Sequence, residues 1–317
     1  MICGDSMKLI DLHCDTASRI FKHRDSLAQN DYHISIDKLS QYDKYAQIMA
    51  IFISNELSDD EGFESFNAIY EYYLEQLETN SCNISQLTQG AQIQQAWNDN
   101  KHSLFLSVED ARILNGDITK LDILYQKGVR FLTLMWSGET CIGGSHNTQT
   151  GLTQFGKSVV ERCFDLGIVP DVSHASERAT SDMIDIAQLR GLPLIASHSN
   201  SYAVYPHTRN LRDHHFTAIK NMGGLVGISL CRWHLGDGDN INVNNVLKHI
   251  DHYLSLGGEN AVSIGGDLDG TDLPEGFYDV RDVIKIADNM AQNGYTDEII
   301  NKLFWKNAKI FFENNIH

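Results

Sequence analysis

Eight short apolar runs, separated by longer amphipathic segments, restrict the fold of this 317-residue chain more than any other feature. The runs are rich in Val, Ile, Leu and Phe, which is typical of strands buried on both faces, as parallel strands are. They predict eight parallel strands, which are KLIDLHCD (8–15), AQIMAIFIS (46–54), SLFLSVE (103–109), RFLTLMW (130–136), IVPDVSH (168–174), PLIASHS (193–199), GLVGISL (224–230) and AVSIGGD (261–267).

The segments between the runs have the spacing of amphipathic helices. Phe155, Val159 and Cys163, for example, recur every four residues and fall on one helical face. Alternating strands and helices imply right-handed crossovers, and eight such units imply a closed (β/α)8 TIM-type barrel of the α/β class. An open, doubly wound sheet fits less well because no glycine-rich phosphate loop follows an early strand. Helices are predicted at 63–79, 153–166, 176–190, 243–256 and 280–292.

No feature of the chain suggests a division into separate domains. There are only four prolines, no low-complexity tract and no internal repeat. Barrels of about this length are often one domain. We therefore expect residues 1–317 to form a single barrel domain.

Composition narrows the range of partners and compartments. A net charge of -17 and a pI near 5.1 disfavour nucleic acid and anionic membranes, because phosphate groups require patches of Lys and Arg. The six cysteines are scattered without a C-x-x-C pair, which is typical of reduced, mostly buried thiols. There is no signal-peptide pattern and no stretch of about 18 apolar residues, and Met1 and Met7 are both candidate starts. We expect a cytoplasmic protein with no nucleic-acid or membrane partner.

Residues that can bind a metal ion stand at the ends of five of the eight runs. The first run ends in two of them, and the third, fifth, sixth and eighth runs end in one each. In a barrel the carboxyl ends of all strands share one face, where catalytic groups gather, so these side chains should converge in one cavity. The residues are His13, Asp15, Glu109, His174, His198 and Asp267.

The residue types in this set suit a centre of two metal ions. His13 and Asp15 are two apart on a strand, so their side chains point to the same side. With Glu109, His174 and His198 they exceed the three protein ligands usual for a catalytic zinc, which favours two ions and one bridging carboxylate. Nitrogen and oxygen ligands favour Zn²⁺, although manganese, iron or cobalt can occupy such sites. Two ions about 3.5–4 Å apart would hold a hydroxide and polarise a carbonyl group.

Each residue also has a structural explanation on its own. A histidine at a strand end is more often hydrogen-bonded than a ligand, Glu109 can cap a helix, and Asp267 and Asp269 can shape a turn. The joint pattern favours the metal site, and a serine hydrolase is disfavoured because no G-x-S-x-G motif is present. Cys14 should face the core and do no chemistry. Seven further histidines should be solvated, namely His23, His33, His102, His214, His215, His249 and His252.

Seven stretches carry a resemblance to a known family, and they are IDLHCDT, FLSVEDA, GVRFLTLMW, GLTQFGKSVVERCFDLGIVPDVSHAS, PLIASHSNSYAVYPHTRNL, GGLVGIS and SIGGDLDG followed by LPEGF. They resemble the membrane dipeptidase (renal dipeptidase) family, within the wider group of amidohydrolase-like metal barrels. The resemblance extends from about residue 8 to the C-terminal NKLFWKNAKIFF. It implies a zinc enzyme that cleaves dipeptides, often with a D-residue on the C-terminal side. The chain is most similar to soluble microbial members.

The resemblance implies a role for each candidate ligand. His13 and Asp15 would bind one zinc, His174 and His198 would bind the second, and Glu109 would bridge both. The cofactors implied are therefore two Zn²⁺ ions.

It also implies the substrate contacts. Arg209 in HTRN would match the family's substrate-binding arginine and pair with the terminal carboxylate of the dipeptide, because a planar guanidinium suits two oxygens. Asn210 beside it and Trp136 complete the predicted substrate-binding set. Asp267 would lie near the substrate amine and the proton path.

The sequence departs from the family pattern at one position. Animal members have a histidine at the end of strand four that helps to stabilise the tetrahedral intermediate, and Trp136 stands there in this chain. The second zinc, or a donor from the 137–147 loop with its GGSHN sequence, would have to fill that role.

We therefore predict a dinuclear zinc dipeptidase in which a metal-bridging hydroxide attacks the peptide carbonyl. Glu109 and Asp267 are the predicted catalytic residues, and Asp267 would pass a proton to the leaving amine. The partner would be a small dipeptide, and a homodimer is expected from the resemblance. Two alternatives stay open. One is a related dinuclear-metal amidohydrolase acting on another amide, lactone or ester, and the other is a catalytically degenerate binding protein.

Overall fold

The computed structural model describes residues 7–317, and eight parallel strands within that range close into a barrel. Each barrel strand pairs with the next, and the last pairs with the first through Asp11 and Ile264. The predicted (β/α)8 TIM-type barrel is confirmed. The strands are β1 (Lys8–Cys14), β2 (Lys44–Phe52), β3 (Ile84–Gln86), β4 (His102–Glu109), β5 (Val129–Thr133), β6 (Val169–Asp171), β7 (Ile195–Ala196), β8 (Leu225–Ile228) and β9 (Val262–Ile264), of which all but β3 form the barrel.

The short strand β3 is an addition that the sequence pattern does not predict. It pairs with the first three residues of β4, from His102 to Leu104. Strand β5 takes over the same edge of β4 from Leu106 onward. A three-residue strand is too short to leave a recognisable alternation of apolar and polar residues.

The helices fall close to the predicted segments. The segment predicted at 280–292 is a 3₁₀ turn, Val280–Val283, followed by an α-helix. In the described residues the α-helices are α1 (Thr16–His23), α2 (Asp59–Thr79), α3 (Gln92–Asn98), α4 (Lys120–Gln126), α5 (Gln154–Leu166), α6 (Glu177–Arg190), α7 (Asp213–Asn221), α8 (Arg232–Leu235), α9 (Val243–Ser255), α10 (Ile284–Gln292), α11 (Asp297–Asn301) and α12 (Asn307–Asn315). Further 3₁₀ turns span Ile36–Gln41 and Ala111–Leu114, and a π-helical turn spans Lys302–Lys306.

Capping residues in the sequence explain where the outer helices begin and end. The Ser176 hydroxyl accepts a hydrogen bond from the backbone N–H of Ala179 at the start of α6. Gly191 ends that helix in the left-handed conformation, with φ 64°. Thr153 and Gly167 play the same two roles for α5.

Two hydrophobic clusters form the core, and the smaller one closes the amino end of the barrel. The smaller cluster contains Ile10, Phe105 and Phe131 from the strands, together with Phe312 of α12. The Phe312 ring lies 4.9 Å from that of Phe105 and 5.3 Å from that of Phe131. The larger cluster packs the outer helices onto the strands. Aromatic side chains of α12 therefore fill the amino end of the barrel.

Two of the histidines predicted to be solvated are buried, and that prediction is wrong for them. His215 is 3% exposed, with its Nε2 atom 2.8 Å from the Ser181 hydroxyl. His249 is fully buried, accepts a hydrogen bond from the Ser201 backbone N–H and donates one to the Leu235 carbonyl. Their polar atoms have partners inside the protein, which makes burial of a histidine tolerable.

Cys14, Cys82, Cys163 and Cys231 are free thiols. Cys14 lies fully buried in the core as predicted, whereas Cys82 is exposed. Cys3 and Met1 lie outside the described residues. No helix within residues 7–317 has the length and apolar character needed to cross a membrane. The cytoplasmic location and the single domain over 1–317 stay predictions.

Candidate metal centre and its cavity

The carboxyl ends of the barrel strands surround a cavity of about 940 Å³. Asp15 directly follows β1, Glu109 ends β4, and His174 stands three residues after β6. His13 and His198 are each 1% exposed, and both lie against the Glu109 carboxylate. The predicted residues that line the cavity are Asp15, Glu109, Trp136, His174, Arg209 and Asp267.

Glu109 lies between two groups of possible ligands. Its Oε2 atom is 3.5 Å from Nε2 of His13. Its Oε1 atom is 3.0 Å from Nε2 of His174 and 3.6 Å from Nε2 of His198, and those two nitrogens are 3.0 Å apart. Each carboxylate oxygen therefore faces different imidazoles, an arrangement in which one carboxylate can bridge two ions.

The spacing of these atoms fits a divalent metal ion. Ligands about 2.0–2.1 Å from a tetrahedral zinc lie about 3.3 Å from one another. The separations here run from 3.0 Å to 3.7 Å, the longest being between His13 Nε2 and Asp15 Oδ2. His13 Nε2 and Asp15 Oδ1 are buried without a hydrogen-bond partner among the described residues, a costly state unless a ligand completes them.

Asp267 also lies within reach of this centre. Its Oδ1 atom is 4.0 Å from Nε2 of His13. Two groups of side chains have their possible ligand atoms within 4.8 Å of one another: His13 with Glu109 and His198, and His13 with Asp15 and Asp267. Distance alone therefore allows two roles for Asp267: it can bind a metal ion itself, or it can lie next to the metal ligands without binding the ion.

A β-bulge at the end of β1 aims His13 and Asp15 at the centre. From Asp11 to Cys14, β1 advances three residues while β2 advances two. A bulge of this kind turns the side chains that follow it. Cys14 accordingly packs in the hydrophobic core, while His13 and Asp15 share the opposite side, as the sequence predicts.

A buried network beneath the centre fixes the tautomer of His198. Asp171 accepts hydrogen bonds from the backbone N–H groups of Ser173 and Ser197 and from the Thr133 hydroxyl. The Ser197 hydroxyl also donates to Asp171, so its oxygen accepts from Nδ1–H of His198, 2.8 Å away. Nε2 of His198 is then left with a free lone pair directed at Glu109.

His174 is oriented in the same way. Its Nδ1 atom donates to the backbone carbonyl of Trp136 at 3.1 Å, which leaves a lone pair on Nε2. The lone pairs of His174 and His198 and an anionic oxygen of Glu109 therefore face one another at short range. Such a group is repulsive unless a cation lies among its members, so the residues fit a bound metal ion.

The ionisation states of His174, His198 and Glu109 are those that metal binding requires. Burial, with Arg209 nearby, lowers the pKa of His174 to about 4, and burial together with His13 lowers the pKa of His198 well below its usual value. Burial alone would raise the pKa of Glu109, but His13 and His174 hold it well below its usual range. Burial acts to lower the pKa of His13 as well, but the Glu109 carboxylate raises it well above 6.5.

Asp267 is the carboxyl group best placed to keep a proton near neutral pH. Burial, with the adjacent carboxylates, raises the pKa of Asp267 to about 8. A glycine shapes the space beside it, because a Cβ atom on Gly270 would lie 2.1 Å from Asp15 Oδ2 and 2.4 Å from Asp267 Oδ1. A protonated carboxyl group in this position can serve as a general acid.

Backbone strain is concentrated around the centre. His174 has φ 68°, Asp267 has φ 57° and Asp269 has φ 69°, values in the left-handed region that non-glycine residues seldom adopt. Asp110, next to Glu109, has φ 83°. Strain of about 1–3 kcal/mol per residue persists where the surroundings enforce it, and it clusters at functional sites.

Arg209 brings an unpaired positive charge to the cavity. The residue is only 5% exposed, and its Nη2 atom donates to the His198 carbonyl at 3.4 Å. Its Nε atom has no partner, and Arg209 forms no ion pair with a carboxylate in residues 7–317. Burial lowers the pKa of Arg209 below its usual value. A buried, unpaired guanidinium is costly, which points to an anionic ligand.

Asn210 does not line this cavity. Its side-chain amide donates to the backbone carbonyls of Tyr205 and His234, both at 2.9 Å. These two hydrogen bonds link the segment that contains Arg209 to helix α8. The predicted contact of Asn210 with substrate stays a prediction.

His146 is a cavity residue that the sequence reasoning did not single out, although it expected a donor from the 137–147 loop. Its backbone N–H donates to the His174 carbonyl at 2.7 Å, and its ring lies 6.0 Å from the His174 ring. Its Nδ1 atom is 3.0 Å from the Thr208 hydroxyl. Burial and the Arg209 charge lower the pKa of His146 to about 3, so the ring is neutral. The only signal in the sequence was the GGSHN motif itself.

The closed barrel and the candidate nitrogen and oxygen ligands at its carboxyl end are typical of metal-dependent (β/α)8-barrel hydrolases. The chain belongs to the membrane dipeptidase family, peptidase family M19, whose sequence model matches residues 3–314. A relative from Klebsiella pneumoniae, an uncharacterised protein in the pqqA 5′ region, is 31% identical over 229 residues, which cover 68% of this chain and 83% of the relative. The family resemblance found in the motifs is confirmed.

Two solved structures share the fold of this chain. Dipeptidase AC, a metallopeptidase of family M19, has a TM-score of 0.92 and 23% identity, covering 98% of this chain and 99% of its own. A metallopeptidase from Rhodobacter sphaeroides, liganded with a phosphinate mimic of the dipeptide L-Ala-D-Ala, has a TM-score of 0.91 and 23% identity, covering 98% of this chain and 100% of its own.

Proposed function

We propose that this chain is a dinuclear zinc dipeptidase that hydrolyses the peptide bond of dipeptides, including those with a D-residue on the C-terminal side. The observation that carries the proposal is the position of Glu109, whose two oxygens face separate groups of ligands. Family membership supports it, as does the dipeptide mimic bound to the structurally similar Rhodobacter sphaeroides metallopeptidase. Residues 1–317 would act as one barrel domain.

The ligands divide into two sets that share one residue. His13, Asp15 and Glu109 would hold one ion, and Glu109, His174 and His198 would hold the other. Bound there, two Zn²⁺ ions would activate a water molecule and polarise the scissile carbonyl. The hydrogen bonds made by Nδ1 of His174 and of His198 keep the Nε2 lone pairs of these two residues directed at the centre.

Arg209 would bind the C-terminal carboxylate of the dipeptide. Its charge is buried and unpaired, and it lies beside His198 at the edge of the centre. A dipeptide places that carboxylate one residue beyond the scissile bond. The guanidinium would therefore position the bond over the centre and select free dipeptides over longer chains.

Replacing Arg209 with alanine should raise KM for dipeptides by about a hundredfold, because truncating one partner of a buried charge pair costs about 2–5 kcal/mol. The rate constant kcat should change less, since Arg209 does not touch the scissile bond. Steady-state kinetics with a free dipeptide measures both. Arg212→Ala is the matched control, because Arg212 pairs with Glu177 outside this cavity. An unchanged KM in Arg209→Ala would remove Arg209 from the binding site.

Asp267 would protonate the leaving amine. Burial raises the pKa of this carboxyl group to about 8, and the group lines the cavity beside Asp15. Peptide hydrolysis expels an amine that must gain a proton, so a carboxylic acid at this point meets the requirement.

His146 would supply the hydrogen bond that the histidine at the position of Trp136 provides in animal members. Nδ1 of His146 lies 3.0 Å from the Thr208 hydroxyl. In the tautomer in which that hydroxyl donates to Nδ1, Nε2 would carry the proton and donate to the carbonyl oxygen. The neutral ring lines the cavity above His174. A fixed donor aimed at developing negative charge lowers the barrier without a proton transfer.

Replacing His146 with phenylalanine should lower kcat by about 10²–10³-fold, the usual cost of losing such a donor. Phenylalanine keeps an aromatic side chain but removes both ring nitrogens, and with them the N–H donor and the contact with Thr208, so KM should change less than kcat. His214→Phe is the control, because His214 is exposed on α7. If kcat of His146→Phe stays within twofold of the unmodified enzyme, the donor role is refuted.

A substrate panel tests the proposed function against its alternatives. The zinc-loaded protein should release amino acids from L,L and L,D dipeptides, and a chelator should abolish the activity. Turnover of lactones, esters or other amides without turnover of any dipeptide would favour the related amidohydrolase. Bound metal without turnover of any of these would favour a binding protein.

A further inference from the structure

One wall of the cavity is a face of helix α1, which begins directly after the ligand Asp15. Asp15, Ser18, Arg19 and Lys22 all line the cavity. They follow the spacing i, i+3, i+4 and i+7, so they lie on one side of the helix. With a rise of about 1.5 Å per residue, Arg19 and Lys22 lie about 6 Å and 10 Å along the axis from Asp15. The wall thus leads away from the metal centre.

This wall carries positive charge that no carboxylate neutralises. Arg19, Lys22 and Arg24 are exposed to the cavity and form no ion pair within residues 7–317. Arg19 lies over the Tyr32 ring at 5.1 Å, and Arg24 lies over the Phe21 ring at 4.4 Å. Aromatic faces hold the two guanidinium groups in place while leaving their charges available to a ligand.

The acidic groups of the cavity are concentrated at its base. Glu109, Asp15 and Asp267 surround the metal centre, and Asp269 accepts hydrogen bonds from the Thr16 hydroxyl and the His33 backbone N–H. Along the wall, Glu56 is the carboxylate among the described lining residues. The three cations Arg19, Lys22 and Arg24 outnumber Glu56, so the end of the cavity away from the metal centre has a net positive charge. The chain as a whole has a net charge of -17.

Apolar side chains lie beside these cations. Phe52, Leu57 and Ile69 line the cavity as well. Phe52 lies beside α1, because the Ser18 hydroxyl donates to its carbonyl at 3.3 Å, and the Phe52 ring packs edge-on against Trp136 at 5.0 Å. A side chain that suits this end therefore combines an apolar stem with a negative tip. Glutamate has two methylene groups and a terminal carboxylate, which matches that description.

We propose that this end of the cavity binds the side chain of the substrate's N-terminal residue, and that dipeptides with an acidic N-terminal residue, above all glutamate, are preferred. The inference rests on the proposed function, in which Arg209 binds the other end of the dipeptide. With the scissile carbonyl at the metal centre, the N-terminal side chain extends away from Arg209 toward Arg19 and Lys22. The substrate's α-ammonium group stays at the acidic base of the cavity.

The test compares L-Glu-D-Ala with its neutral isostere L-Gln-D-Ala on the zinc-loaded protein, and repeats the comparison with the L,L forms. We expect kcat/KM to be at least about fivefold higher for the glutamate dipeptide, the sum of a few partly exposed ion pairs. The ratio should fall toward one when the salt concentration rises from about 0.05 to 0.5 M, because salt screens such charges.

Two variants test whether the charged face of α1 causes the preference for the glutamate dipeptide. Arg19→Gln and Lys22→Gln should each lower the Glu/Gln ratio by about twofold or more, since each removes one of the exposed charges. Lys248→Gln is the control, because Lys248 is exposed on α9 outside the cavity, and it should keep the ratio of the unmodified enzyme.

The outcomes separate failure of this inference from failure of the proposed function. Equal turnover of the two dipeptides, or a ratio that neither variant changes, would overturn the inference and leave the dipeptidase assignment standing. No turnover of either dipeptide by protein that contains zinc would overturn both.

Discussion

Replacing Glu109 with glutamine is expected to lower kcat/KM for dipeptides by about 10³-fold or more, since bound metal ions supply several kcal/mol of the stabilisation. The amide has nearly the same size as the carboxylate, but it has no charge, and one of its atoms becomes an N–H donor. That donor would face either His13 or the pair of His174 and His198, where a ligand oxygen is required. Zinc content should fall together with activity.

The measurement combines dipeptide kinetics with metal analysis on the same sample. Glu298→Gln is the matched control, because that side chain is 71% exposed on α11. It should bind zinc and turn over substrate as the unmodified enzyme does. Full activity in Glu109→Gln would refute the bridging role.

Replacing Asp267 with asparagine should lower kcat by about 10²–10⁴-fold, the usual contribution of a general acid. The amide has the same shape but cannot transfer a proton to the leaving amine. Zinc content should remain at the level of the unmodified enzyme, because in the proposed assignment the five other residues would hold the ions. Asp185→Asn, on the exposed side of α6, is the control.

Metal analysis of Asp267→Asn separates two roles that distance alone allows. The carboxyl group lies 4.0 Å from Nε2 of His13, within the range of a ligand group. Loss of zinc together with activity would make Asp267 a metal ligand and not a proton donor. Retention of both zinc and full kcat would leave it without a role in the reaction.

The sequence predicts the barrel and the ligands because both follow from short-range patterns. Each buried parallel strand is a run of apolar residues, and the carboxyl ends of parallel strands meet at one face. Asp15, Glu109 and His174 stand at such ends, so their convergence could be predicted without knowing any distance. The alternation along β1 likewise separates His13 and Asp15 from Cys14.

Features that depend on long-range packing could not be predicted in this way. The three residues of β3 pair with β4 only because the barrel leaves that edge free. His249 is buried because the Ser201 N–H and the Leu235 carbonyl, which are distant in sequence, meet its ring. The position of His146 depends on how its loop folds back onto His174. None of these contacts leaves a periodic signal.

The hydrogen-bond network under the histidines is another such feature. Asp171 is the first polar residue of the apolar run 168–174, and the sequence alone gives no reason to connect it with Ser197. In the folded chain it organises Ser173, Ser197 and Thr133, and through Ser197 it fixes the tautomer of His198. Supporting residues of this kind orient a metal ligand, and only the three-dimensional structure identifies them.

The most direct test of the two-ion centre is a zinc titration of the metal-free protein, with bound zinc and dipeptide turnover measured at each point. The arrangement of Glu109 between two groups of ligands predicts that activity rises until two equivalents of zinc are bound and then stays constant. A plateau at one equivalent, or full turnover by the metal-free protein, would contradict it.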